Sequence, residues 1–153
     1  MKLPVYLGLL HEAERILARS FRVVADGHGD EPDVHVILGT LAGQCDRHVE
    51  ALEPVIARFG SDVEGEEEHR VTADGVEEVR TGALGLLLDL QDLYVLVHHL
   101  DVMWTMVGQA AAGSRDRELL DVVARCEPDA DLQSRWLQTR MKQAAPQALL
   151  VAS

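Results

Sequence analysis

Apolar side chains recur at three- and four-residue spacing along four separate stretches, the pattern of helices that each bury one face. After Pro4, a residue tolerated in a first helical turn, the line Leu7, Leu10, Glu14, Leu17, Phe21 and Val24 predicts a first helix over about 4–26. The cluster Gly27-His28-Gly29-Asp30-Glu31-Pro32 ends it, with Asp30 as a cap and Pro32 opening the next helix. Val34, Leu38, Leu41, Cys45, His48, Leu52, Val55 and Phe59 predict a second helix over about 33–59, closed by Gly60, with Pro54 kinking it or loosening its last turn. Leu90, Leu93, Val97, Leu100, Trp104 and Val107 hold one face of a third helix over about 83–113, the most apolar of the four. Ser114 is expected to cap a fourth over about 115–143, with stripe Leu119, Val122, Val123, Cys126, Leu132, Trp136 and Leu137, which Pro128 kinks or breaks. Leu149, Leu150 and Val151 then form an apolar tail that tucks against the bundle or contacts another subunit.

The links alternate short, long, short. Short links make neighbouring helices antiparallel, whereas the stretch 61–82 is long enough to travel the length of a bundle and leave the second and third helices parallel. The expected fold is therefore all-α: an antiparallel four-helix bundle with a long crossover, forming one domain over 1–153. Between Ser61 and Arg80, eight acidic residues face only Arg70 and Arg80, so these twenty positions carry −6 of the chain's −12. With few large apolar side chains, the segment reads as a solvated connection, with a docking surface for a basic protein partner as the sharper alternative.

Charge and composition narrow the function classes. A net charge of −12 over 153 residues opposes a nucleic-acid surface, which needs clustered Lys and Arg. No apolar run reaches the roughly 18 residues of a membrane span, and Met1-Lys2-Leu3-Pro4 lacks the layout of a signal peptide, so a cytoplasmic protein without a membrane partner is expected. Cys45 and Cys126 form no Cys-x-x-Cys pair, which argues against a disulfide scaffold or zinc ribbon. Gly-x-Ser-x-Gly elbows, Gly-rich phosphate loops and βαβ rhythm are all missing.

The informative positions are polar residues on inward stripes, because burying one without a partner costs on the order of a few kcal/mol. Glu14 lies on the apolar line of the first helix, while Glu12 and Arg15 point to water. Cys45 and His48 share the stripe of the second helix. Tyr94, His98, Asp101 and Thr105 form a polar strip on the third, with His98 facing inward and the adjacent His99 outward. Cys126 and Asp129 repeat the three-residue spacing on the fourth. His28, His35 and His69 read as solvated, and Met103, Trp104 and Met106 as core packing.

The run Ala42-Gly-Gln-Cys-Asp-Arg-His-Val-Glu-Ala-Leu52, continuing to Arg58-Phe-Gly60, resembles the second helix of ferritin-like and rubrerythrin-like proteins, which carries Glu-x-x-His. His48 falls on the histidine of that motif and Cys45 on its glutamate. Glu14, seven positions before Phe21, resembles the first ferritin helix. Cys126-Glu127-Pro128-Asp129 stands where a second Glu-x-x-His is expected, with a thiol for the glutamate and an aspartate for the histidine. The run from Trp136 to Leu149 is similar to uncharacterised actinobacterial ferritin-like proteins. The resemblance implies a site of four carboxylates and two histidines holding two irons. Two thiols in place of bridging glutamates make a poor home for hard ferric ions.

The candidate metal residues are therefore Glu14, Cys45, His48, His98, Asp101 and Cys126, whose thiols and imidazoles would suit zinc or a remodelled iron site. Three readings stay open: a binding or accessory protein with a degraded or remodelled metal site, a metal-dependent oxidoreductase using the altered ligand set, and a structural module in a homo-oligomer joined through the tail and the outward residues of the third helix. A satisfied polar core is the plainer account of the same residues, and a Cys45–Cys126 disulfide a further one.

Overall fold

A computed structural model describes residues 1–60 and 74–153 and is helical throughout its regular structure: α1 (Leu3–Gly27), α2 (Pro32–Phe59), α3 (Gly82–Ser114), α4 (Arg117–Pro146) and a short π-helical turn, Gln147–Val151. No strand occurs among the described residues. The stretch 61–73, most of the expected acidic crossover and including His69, lies outside them. α1 packs against α2 and α3, and α4 against α3 and α2; the other two pairings are the diagonals. One core runs through all four helices, with Trp104, Phe21, Leu7, Leu38, Leu90, Leu119 and Leu137 fully buried.

Several local expectations are corrected. Asp30 does not cap α2; Glu31 precedes Pro32, whose missing N–H suits a first turn where no intrahelical bond is needed. Nor does Ser114 cap α4: it ends α3, its hydroxyl bonding back to the Ala110 and Ala111 carbonyls. Arg115 follows at φ 56°, and Asp116 is the true cap, accepting from the Leu119 N–H at 3.2 Å and pairing with Arg58. α2 continues through Pro54, and α4 continues through Pro128. Because α4 is unbroken, its inward line runs Cys126, Ala130, Gln133, Leu137, which leaves Leu132 48% exposed and Trp136 only half-buried. Met106, expected in the core, is also 48% exposed.

The chain leading into α3 is less solvated than its charge implies. Val76 is buried and its N–H donates to Ser20 Oγ, while Arg19 donates to the Asp74 carbonyl at 2.7 Å. Val79 lies so close to α1 that a Cβ on Gly27 would sit 2.4 Å from it, so only glycine fits there. The tail neither folds away nor hangs free: Ala148 is buried against Leu87, while Leu149, Leu150 and Val151 stay exposed. α3 is long and apolar enough, by length and composition, to cross a membrane, with half of its most apolar stretch buried in the bundle.

Candidate functional site

Each helix sends one polar side chain toward a common point inside the bundle. Glu14 on α1 and His48 on α2 are 2% and 3% exposed, because each occupies an apolar line whose other members are core leucines. His48 Nδ1 lies 2.9 Å from Glu14 Oε1, and its Nε2 lies 2.8 Å from Asp129 Oδ2 on α4. Trp104, on α3, donates its indole N–H to the same Glu14 oxygen at 2.8 Å and meets the His48 ring edge-on, with centroids 5.8 Å apart. Glu14 Oε1 is thus shared by two donors. Its Oε2 is buried and makes no hydrogen bond of ordinary geometry.

Burial alone pulls the imidazole of His48 toward its neutral form, but hydrogen bonds and charges from Glu14 and then Asp129 outweigh it, so its pKa is raised above 6.5. The protonated ring donates from both nitrogens, one to each carboxylate. Around this pair the thiols stay neutral. Burial, reinforced by the Glu14 charge, pushes Cys45 well above its ordinary value, and the same two causes push Cys126 up to about 12. Both cysteines are free and buried. Gln133 completes the α2–α4 side, donating to Gln44 Oε1 at 3.0 Å and lying 3.9 Å from Cys45 Sγ.

Of the residues singled out from sequence, Glu14, Cys45, His48 and Cys126 fall around one centre, and Asp129 joins them by direct contact with His48. His98 and Asp101 do not. His98 is exposed, near Ser134 Oγ at 3.2 Å and against the Tyr94 ring, whereas His99 is the half-buried one, the reverse of the expected phase. Asp101 is half-buried, and its backbone carbonyl accepts from Thr105. Trp104, Gln44 and Gln133 were missed as site residues. Trp104 was legible only as core, and the two glutamines carry no charge to mark them.

A second polar centre lies where the turn after α1 meets α3. His28, expected in solvent, is 5% exposed, with Nε2 2.7 Å from Asp89 Oδ2. Asp89 is fully buried and also accepts from the Arg80 backbone N–H at 3.0 Å and the Arg80 guanidinium at 2.7 Å. Asp92 takes the same guanidinium at 2.9 Å.

The first centre does not fit the di-iron group that the resemblance implies. A histidine ligates through a lone pair, and both nitrogens of His48 are taken by carboxylates that would themselves have to turn toward the ions. Among the described residues no three His, Cys, Asp or Glu side chains group so as to hold a metal ion. What the arrangement can do is hold a proton. Since the folded pKa of His48 exceeds 6.5, its stabilisation is complete below pH 6.5 and lost as pH rises through the folded value. Urea unfolding across pH 5–9 is therefore expected to show stability falling on the alkaline side of about 6.5, a slope that His48→Gln removes; parallel curves for the two proteins would show that the ring is not charged when folded. In comparisons with known proteins, no family model, no curated sequence and no solved structure matches the chain.

Proposed function

We propose that this chain is a ferritin-like protein, an antiparallel four-helix bundle with a long crossover between α2 and α3, whose di-iron site has been remodelled into a self-paired polar core, and that it acts as a binding or accessory protein. Contact pairs support the topology. Residues later in α1 meet residues earlier in α2, as Arg22–Asp46 and His11–Glu53 do, and the same inversion relates α2 to α4 through Arg58–Asp116 and Arg140–Asp33. α1 and α3 are inverted likewise, Leu3 lining a groove with Val107 and Glu14 meeting Trp104, while His28 reaches Asp89. With α1 opposed to both α2 and α3, those two run parallel, which requires a connection spanning the bundle.

The observation that carries the functional reading is the double engagement of His48. Where the resembling family places iron ligands, this chain has an imidazole closed off by Glu14 and Asp129, two neutral thiols, and an indole N–H on the one inner carboxylate. Such a core holds the helices together and leaves binding to the outer surface. Elemental analysis by mass spectrometry of tag-free protein, with Cys45→Ser and His48→Ala purified alongside, tests this. The expected result is metal well below one equivalent in all three. Near-stoichiometric metal in the parent that falls in both variants would overturn it and favour a metal-dependent oxidoreductase with an altered ligand set.

A further inference from the structure

We propose that two copies of this chain pair through the outer face of α3, antiparallel about a two-fold axis at Val95. The inference rests on the surface and does not depend on the reading of the inner site.

Leu84, Val95, Val102 and Met106 are 48%, 53%, 57% and 48% exposed, and Leu88 is half-buried among them. At 100° per residue these five fall within an arc of about 40°, because seven residues bring a helix back to within about 20° of its starting direction. They form a stripe along the helix some 33 Å long at 1.5 Å per residue. Isolated exposed apolar residues are ordinary, but an aligned series of this length marks an interface.

Two features identify the occupant. The first is charge. In a chain with 40 ionised side chains of 153 residues, α3 carries only three, all aspartates: Asp89 is buried on His28 and Arg80, Asp92 is paired with Arg80, and Asp101 lies on the flank of the helix away from the stripe. The residues that border the stripe at its centre are Gln91, Asp92, His98 and His99. Two molecules of net charge −12 repel each other, and the one carboxylate at the edge of this face, Asp92, is already paired with Arg80. Depletion of charge is also the compositional mark of an interface centre.

The second is symmetry. The stripe's spacings are four, seven, seven and four, which read identically in both directions from Val95. An antiparallel pair of α3 helices crossing at Val95 therefore sets Leu84 against the partner's Met106, Leu88 against the partner's Val102, and Val95 against itself. That is the self-complementarity a two-fold interface requires; an unrelated partner, or a lipid surface, requires no such palindrome.

Sedimentation equilibrium of the full chain is expected to give about twice the 16.8 kDa of one chain, and Val95→Glu, which sets two carboxylates face to face on the axis, is expected to give a monomer. Val36→Glu, at a position 62% exposed on α2, should stay dimeric. Val95→Cys gives a second test that does not rely on a destabilised variant: a residue on the axis meets its own copy within the roughly 4.4–6.8 Å between Cα atoms that a disulfide needs, so mild oxidation is expected to link it into a covalent dimer while Val36→Cys stays monomeric on a reducing-agent-free gel. A parent that is monomeric at every concentration, or a dimer that survives Val95→Glu and fails to crosslink through Val95→Cys, overturns the proposal. If the monomeric parent instead sediments with vesicles of phosphatidylcholine and phosphatidylglycerol, the stripe is a lipid-facing surface and the two-copy reading is equally overturned.

Discussion

His48→Ala is expected to lower the unfolding free energy by about 3–5 kcal/mol below pH 6.5, because removing one partner leaves a buried charge uncompensated. The penalty falls almost wholly on Glu14, whose buried carboxylate is left with the Trp104 N–H and the neutral Cys45 thiol as its partners. Asp129 is different: its side chain is 30% exposed and recovers hydration when the imidazole is lost. Asp129→Asn should therefore cost about 1 kcal/mol or less, as partly exposed pairs do. Glu14→Gln retains an acceptor for the indole while removing the charge. A cycle of Glu14→Gln, His48→Ala and the double variant is expected to return a coupling of about 1–3 kcal/mol, read by urea unfolding with Trp104 fluorescence as the probe. A loss below about 1 kcal/mol for His48→Ala would mean that Glu14 finds another proton or partner in the folded chain.

Asp89→Ala is expected to destabilise by about 3 kcal/mol, since it orphans three donors at once, two of them inside the fold. His28 loses the acceptor for its buried ring, and the Arg80 N–H loses its own. Arg80→Ala removes a guanidinium that is 48% exposed, and so is expected to cost much less. The two variants should also differ in where they loosen. Asp89 fixes the end of the segment that places Val76 and Val79 on α1, so amide exchange in 74–81 should accelerate in Asp89→Ala more than in the centre of α1. Equal losses for Asp89→Ala and Arg80→Ala would show that the guanidinium, rather than the buried histidine and backbone, dominates the cluster.

Glu14 and His48 were visible in the sequence because each interrupts a clean apolar line, and a polar residue on such a line must find a partner once the helix packs. Four helices were visible for the same reason. The phase of α3 was not: it is apolar on nearly every side, so periodicity could not decide between His98 and His99, and the inward choice fell on the wrong one. Trp104 packs in the core as expected, but its polar role depends on where one N–H points, which spacing does not encode. His28 looked solvated among glycines and acids; its burial comes from Asp89, sixty-one positions away. Pro128 was expected to disturb α4, yet the helix runs on, and that continuity turns Asp129 toward His48.

The seam between α2 and α4 has a consequence of its own. It is fastened along its length by Arg140 on Asp33, Gln133 on Gln44, Asp129 on His48 and Arg58 on Asp116, while α1 is held to α2 by leucines and valines together with Arg22 on Asp46, His11 on Glu53 and Glu14 on His48. Apolar faces tolerate sliding; directional pairs do not. A slip of one helical turn, about 5.4 Å, would break all four fastenings together, so the seam acts as a ruler that sets how α2 and α4 line up. That ruler is written in charges and amides, so its grip, unlike that of the apolar faces, answers to salt and acid.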